Sequence, residues 1–317
     1  MSRRTTQTSD IVARPIAPAL LAWFADNNRA MLPWRTDRAP YRIVVAEFML
    51  QQTQVDRVVP LFEAFVARWP TFAALAAASQ ADVVRAWRGL GYNSRAVRLH
   101  ALARAVHAEF AGALPRDETA LRALPGIGPY TARAIAAFAF DADVVAIDTN
   151  VRRIVHRTQL GVESPPLASP SELDAIASAL VPHGDGFAFN SALMDLGSTL
   201  CTARAPKCLL CPLSSDCAAA PIDASTLARR AAAAAPARTP QEKLKFEETD
   251  RFVRGRVIDR LRALGAAESI SLLDLHAALA PALSASHRDG ATFAAIVARL
   301  GRDGIVEIDE AGVALKT

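Results

Sequence analysis

The chain has 317 residues, 36 of them Lys or Arg and 32 Asp or Glu, with a formal net charge of +4 and 51% hydrophobic residues. That length holds one large or two medium domains around a substantial core, and the mild, arginine-weighted basic excess permits a nucleic-acid partner without demanding one. No apolar run approaches the roughly 18 residues of a membrane span, and nothing at the N-terminus reads as a signal peptide, so a soluble cytoplasmic protein is expected.

Residues 1–14 are polar and mixed in charge and read as a disordered leader. From near Pro18 apolar residues recur at helical spacing: first Leu20, Leu21 and Phe24, then residues 43–50, then Val58, Leu61, Phe62 and Phe65. Further helices are expected near 80–88, 94–111, 117–123, 129–140, 148–159, 171–181 and 188–199, in an alanine-rich stretch with almost no strand signal. A run of cysteines ends the compact region at 217, and residues 218–242, rich in Ala, Arg and Pro, read as a linker. Beyond it, residues 246–264, 272–279 and 292–300 carry helical spacing, and 304–308 with 313–315 read as a β-hairpin around the acidic turn at Asp309 and Glu310. The expectation is a mainly α protein with a main domain over 15–217 and a small winged-helix-like module over 243–317. A dimerisation or packing appendage is the other reading of that module.

The four cysteines, Cys201, Cys208, Cys211 and Cys217, fall within seventeen residues as C-x6-C-x2-C-x5-C. Short loops let four thiolates converge on one centre, and soft sulfur ligands at that density select an iron-sulfur cluster or zinc. Disulfides are the weaker alternative for an intracellular chain. Lys207 and Arg204 sit between the first two cysteines, where they would meet a phosphate backbone.

Leu124-Pro125-Gly126-Ile127-Gly128-Pro129-Tyr130-Thr131-Ala132 joins two short helices through a glycine turn. Amides at Gly126, Gly128 and the start of the next helix, where Thr131 lies, would form a seat for a DNA phosphate. A plain helix connection explains such a string about as well. Asp148 follows four apolar residues just where a helix should begin, which suits an N-cap, a fixed anion for a cationic transition state, or both. Glu47 interrupts the apolar helix of residues 43–50. Burial there favours the protonated acid, able to hand a proton to a leaving base; an exposed or salt-bridged Glu is the alternative. A buried acid and an anion are the pair that glycosidic cleavage uses.

In sequence order, Leu32-Pro33-Trp34-Arg35, residues 46–55 (AEFMLQQTQV), Gly89-Leu90-Gly91-Tyr92, the Gly126 turn, Asp148-Thr149-Asn150 and the four cysteines resemble the catalytic region of adenine-mismatch DNA glycosylases of the MutY type, in the endonuclease III superfamily. The resemblance covers about two thirds of the chain. It implies two helical subdomains flanking a cleft, a helix-hairpin-helix motif and a structural 4Fe-4S cluster, with the hairpin and Asp148 on one wall and the cluster bracing the other subdomain. It also implies a monofunctional hydrolase that removes adenine opposite 8-oxoguanine or guanine in double-stranded DNA; a monomer at the nucleoid is the default expectation. Glu47 would protonate adenine, Asp148 would stabilise the sugar cation and Asn150 would orient the pair. Tyr130 stands where lyases of the superfamily carry a Schiff-base lysine. Arg35 would contact Asp148 or the flipped nucleotide, an ordinary surface ion pair being the equal alternative; Gln51 and Gln52 would supply intercalating and base-contacting amides, and Tyr92, unless it is core, would wedge beside the orphan base.

Two departures stand out: Asn93 replaces a second tyrosine common after Tyr92, and residues 243–317 replace a nucleotide-hydrolase-like domain. Alternatives are a thymine or uracil mismatch glycosylase, an endonuclease III-like glycosylase and lyase, and a DNA-binding regulator without catalysis.

Overall fold

The computed structural model describes residues 13–162, 168–223, 244–265 and 268–317, together with 225, 227–229 and 232. The expected leader therefore falls almost wholly outside the described residues, as does much of the expected linker. In chain order the α-helices are α1 Ala17–Asn27, α2 Pro33–Thr36, α3 Pro40–Leu50, α4 Val55–Arg68, α5 Phe72–Ala76, α6 Gln80–Ala86, α7 Ser94–Glu109 and α8 Glu118–Ala123. Then follow α9 Pro129–Phe140, α10 Thr149–Val155, α11 Pro170–Ser178, α12 Gly186–Thr199, α13 Asp250–Arg262, α14 Leu272–Leu279 and α15 Gly290–Arg302. The chain closes with antiparallel strands β1 Val306–Asp309 and β2 Gly312–Leu315, with Val306 opposite Leu315 and Asp309 opposite Gly312. The fold is mainly α, and no helix among the described residues is long and apolar enough to cross a membrane.

Local chemistry sets these boundaries. Thr71, Ser79, Thr249, Ser271 and Asp289 each accept an amide hydrogen bond from the first turn of the helix they precede, and Ser169 with Glu172 closes a capping box. Pro33, Pro129 and Pro170 take the first helical position, where a missing N–H costs nothing.

The chain divides into two compact units. The first comprises Met1–Ile43, Arg116–Arg122 and Ile127–Thr239. Its core joins Leu20 of α1, Val151 and Ile154 of α10, Leu173 and Ile176 of α11, Phe189, Leu193 and Leu196 of α12, and Leu213. Helices α10 and α12 approach closely because Gly197 has no side chain: a Cβ there would lie 2.8 Å from Cβ of Asn150. The expected helix over 148–159 changes pitch partway, passing from α10 into a π-helical turn, His156–Leu160.

The second unit comprises Val44–Pro115, Ala123–Gly126 and Pro240–Thr317. Phe62, Phe65, Trp87, Leu99 and Leu102 form its centre, with Phe65 edge-on to Trp69 and Trp87 at 4.9 and 5.9 Å. The C-terminal residues belong to this unit. There Val253, Val257 and Leu261 of α13 are buried with Phe293, Ile296 and Leu300 of α15 and Val313 and Leu315 of β2. Ile270 pairs with Val313 outside the named strands.

Candidate active site and cluster loop

Within the first unit, Asp148 caps α10. One carboxylate oxygen accepts the amides of Asn150 and Val151 at 2.8 and 2.7 Å, and the other accepts Nδ2 of Asn150 at 3.0 Å. The cap and the fixed carboxylate are thus one and the same side chain. The network continues through a residue that sequence reading passed over. Arg153 donates to Oδ1 of Asn150, to the Gly197 carbonyl and to the Cys201 carbonyl, each at 2.8 Å. A hydrogen-bonded path therefore runs from Asp148 through Asn150 and Arg153 to the first cysteine.

This corrects the expected placement of the cluster. Asp148 and the cysteine loop lie in the same unit, because α10 packs on α12 and α12 runs directly into Cys201. The π-turn fastens the loop at both ends. Arg157, 1% exposed, donates to the carbonyls of Thr202 and Ala203 at 2.8 and 3.2 Å and lies 3.6 Å from the Cys201 sulfur. Its own carbonyl accepts the amide of Ala219 at 3.0 Å and faces the Cys217 sulfur at 3.4 Å. The signal available in the sequence was an arginine pair four residues apart, beside the apolar pair Ile154 and Val155.

All four cysteines line one hollow walled by Leu196, Leu200 and Leu213. Burial, reinforced by the neighbouring cysteines, pushes the Cys211 thiol up to about 11 and raises that of Cys217. Four thiolates here need a cationic guest, which an iron-sulfur cluster supplies when bound.

Arg35 makes an ion pair, and not with Asp148. Its guanidinium forms a two-pronged pair with Asp195, at 2.7 and 3.0 Å, and Arg29 Nε joins at 2.6 Å. Asp195 faces inward from α12 with its side chain 1% exposed. A carboxylate so placed needs a partner, and Arg35 is taken by it instead of by Asp148.

Glu47, in the second unit, is 8% exposed on α3. Beyond it the helix ends in a knot around Arg95, another residue the sequence did not announce. Buried Arg95 donates Nη1 to the carbonyls of Phe48, Met49 and Gln51 at 2.7, 2.9 and 2.7 Å, and Nη2 to Thr53 Oγ1 and the carbonyls of Leu90 and Gly91 at 3.2, 2.9 and 3.2 Å. One cation thus locks the end of Glu47's helix to the turn that carries Tyr92. Both partners hold left-handed residues: Gln52 at φ +56° and Tyr92 at φ +45°. Gln52 is exposed, Gln51 half-buried and Tyr92 40% exposed, so Tyr92 is not core.

The glycine turn is asymmetric. Gly126, in the second unit, has φ +80°, and a Cβ on it would stand 3.0 Å from the Phe48 ring and from Cβ of Arg98. Gly128, in the first, caps α9 with extended backbone and nothing within 4 Å of an added Cβ. Tyr130 is half-buried, while Thr131 is buried, so any contribution it makes to a phosphate seat comes from its amide.

A mainly helical fold, the glycine hairpin, a capped aspartate and a four-cysteine loop define a base-excision DNA glycosylase of the helix-hairpin-helix superfamily. The model of the HhH-GPD superfamily base excision DNA repair protein matches residues 45–182, and that of the iron-sulfur binding domain of endonuclease III matches residues 201–217. The chain is 47% identical over 246 residues to the adenine DNA glycosylase of Mycolicibacterium smegmatis, covering 77% of this chain and 79% of that one. It is 44% identical over 247 residues to the adenine DNA glycosylase of Mycobacterium tuberculosis, covering 77% of each. A solved structure of a thermostable thymine-DNA glycosylase matches with a TM-score of 0.59 and 30% identity, over 64% of this chain and 93% of that one. The chain belongs to the adenine DNA glycosylases of this superfamily, hydrolases of the DNA N-glycosylase class, and its cofactor is a 4Fe-4S cluster held by Cys201, Cys208, Cys211 and Cys217.

Proposed function

We propose that the protein removes adenine mispaired with 8-oxoguanine or guanine from double-stranded DNA, as a monofunctional glycosylase. The observation that carries this reading is the contrast between its two carboxyl groups. Glu47 is buried in an apolar helix, and Asp148 is held by three N–H donors at a helix start. The adenine turns out of the stack, and Glu47 protonates N7 so that the base departs as neutral adenine with the electrons of the C1′–N9 bond. Asp148 faces the oxocarbenium ion left on the sugar, by charge or by a transient ester to C1′. Water then adds at C1′, its proton returns to Glu47, and an abasic site remains.

Asn150 keeps the Asp148 carboxylate aimed. Tyr130 has no amine to form an imine with the sugar, so the strand stays intact. Gln51, Gln52 and Tyr92 enter the duplex around the vacated position, and the amides at Gly126, Gly128 and Thr131 hold a phosphate. The enzyme works as a monomer at the nucleoid.

Incubation with duplexes varying both target and opposite base tests this. Free adenine should appear from A opposite 8-oxoguanine or G, with the strand intact until alkali is added. Glu47→Gln should bind the same duplex and lower release by at least about 100-fold. Thymine or uracil release, scission without alkali, or an active Glu47→Gln protein would each reject the proposal.

A further inference from the structure

The two departures from the family pattern, Asn93 and the substituted C-terminal region, meet in space. Arg262, at the end of α13, donates Nη2 to Oδ1 of Asn93 at 2.7 Å, while Nε and Nη2 reach the Val84 carbonyl at 3.1 and 2.9 Å. Asp259 accepts its Nη1 at 2.9 Å. Asn93 stands at the N-cap of α7, yet its side chain makes no cap hydrogen bond and goes to Arg262 instead. At the other end of α13, the Arg251 guanidinium lies 4.3 Å from the centre of the Tyr92 ring. Two further bonds tie the same surfaces: Gln80 Nε2 to the Gly304 carbonyl at 2.6 Å, and Arg85 Nη2 to the Gly265 carbonyl at 3.3 Å.

The turn so gripped is a conformation that needs gripping. Gly89, Gly91 and Tyr92 have φ of +92°, +68° and +45°, and for tyrosine the left-handed region is strained. Arg95 and Trp87 hold the turn from one side through the Leu90 and Gly91 carbonyls. Arg262 and Arg251 reach it from α13. Meanwhile the parts of a winged-helix-like module that would read DNA are poorly equipped to do so. Helix α15 exposes Ala291 and Ala295 ahead of a single further arginine, Arg302, in its last turn, its Arg299 is paired with Asp250, and the hairpin turn carries Asp309 and Glu310.

We infer that residues 246–317 act through the Tyr92 turn: Arg262 and Arg251 are positioning residues that set how Tyr92 meets the base opposite the target, and so tune opposite-base discrimination. This rests on the reading of Tyr92 as the residue that wedges beside that base.

The experiment uses the full-length holoprotein and duplexes bearing a non-cleavable adenine analogue opposite 8-oxoguanine, G or C, with excision rates on cleavable duplexes at saturating enzyme. Arg262→Gln and Arg251→Met should each reduce the preference for 8-oxoguanine and G over C, by about tenfold and about threefold respectively, with less than about a twofold change in the saturated excision rate. Combining either with Tyr92→Ala should add nothing to the loss caused by Tyr92→Ala alone. Arg251 is exposed, so its variant keeps the test decisive if Arg262→Gln folds poorly. Effects that add to that of Tyr92→Ala, or unchanged discrimination in the Arg251 variant, would overturn the inference. If Tyr92→Ala itself alters neither affinity nor discrimination, the wedge reading has failed instead.

Discussion

Arginines do much of the structural work at single-residue scale, each by a different route. Arg95 answers to backbone carbonyls and one hydroxyl, and burial brings its guanidinium down to about 10, still charged at neutral pH. It acts as a cationic plug for the negative end of Glu47's helix. Asp195 takes Arg29 and Arg35 because an inward-facing carboxylate on α12 has no cheaper solution. Neither arrangement could be read from the sequence, since an arginine in a helix has the same letter whether it caps carbonyls, pairs with a carboxylate or meets phosphate. Glu47 and Asp148 were legible because a carboxylate among apolar residues and one at a helix start are each local anomalies. His100 gives a pH test. Burial lowers its pKa below 6.5, and nearby Arg104 adds to this, while its 3.0 Å contact with the Ala78 carbonyl opposes it. Above 6.5 both folded and unfolded chains hold it neutral. As pH falls below 6.5 the unfolded chain takes the proton first, so stability is lost toward the lower folded value. Denaturant midpoints at pH 7 and pH 5 should differ less for His100→Gln, which can keep the bond to Ala78, than for the parent; equal differences would show that His100 is not the group responsible.

Helices long enough to show a period, such as α4, α7, α11 and α12, were readable in the sequence. Helices α2 and α5 were not, because four or five residues give no periodicity to count. The π-turn after α10 was also invisible, since its cause is tertiary: Arg157 must face the cysteine loop. The glycine hairpin was readable as a motif, but its two glycines do different things. At Gly126 an added Cβ meets the Phe48 ring and Arg98 while φ is +80°; at Gly128 it meets nothing. Gly126→Ala should therefore cost about 1–3 kcal/mol of stability, from left-handed strain and crowding together. Gly128→Ala should cost no more than about 0.5–1 kcal/mol, since only a modest N-cap preference is lost. If a DNA phosphate seats there, the same Gly128 variant should bind duplex more weakly despite near-parental thermal melting. Parental affinity in Gly128→Ala would remove that amide from the DNA contact.

On the scale of the molecule, chain order conceals which parts belong together. Residues 44–115 and 240–317 share a unit, and so do Asp148 and the cysteine loop, because the chain passes between units several times. Local sequence patterns carry no record of that partition, and the placement of the cluster opposite Asp148 was an expectation taken from the resemblance alone. Its true neighbourhood changes what the cluster is for. The loop is fixed by the Arg153 bond to the Cys201 carbonyl and by Arg157 at both ends, and Arg153 in turn holds Asn150 against Asp148. Losing the cluster should therefore reach the carboxylate through hydrogen bonds, although no thiolate takes part in the chemistry. Cys211→Ser should lose iron and the absorbance of the cluster and release adenine much more slowly from A opposite 8-oxoguanine. Its hydrogen exchange should quicken first in α10, the π-turn and the end of α12, with α7 and α13 of the other unit keeping their protection. If exchange in α10 stays slow while activity falls, the loop serves DNA contact alone and the path through Arg153 carries nothing. If activity and α10 both survive loss of iron, the loop is held by Arg157 without its guest.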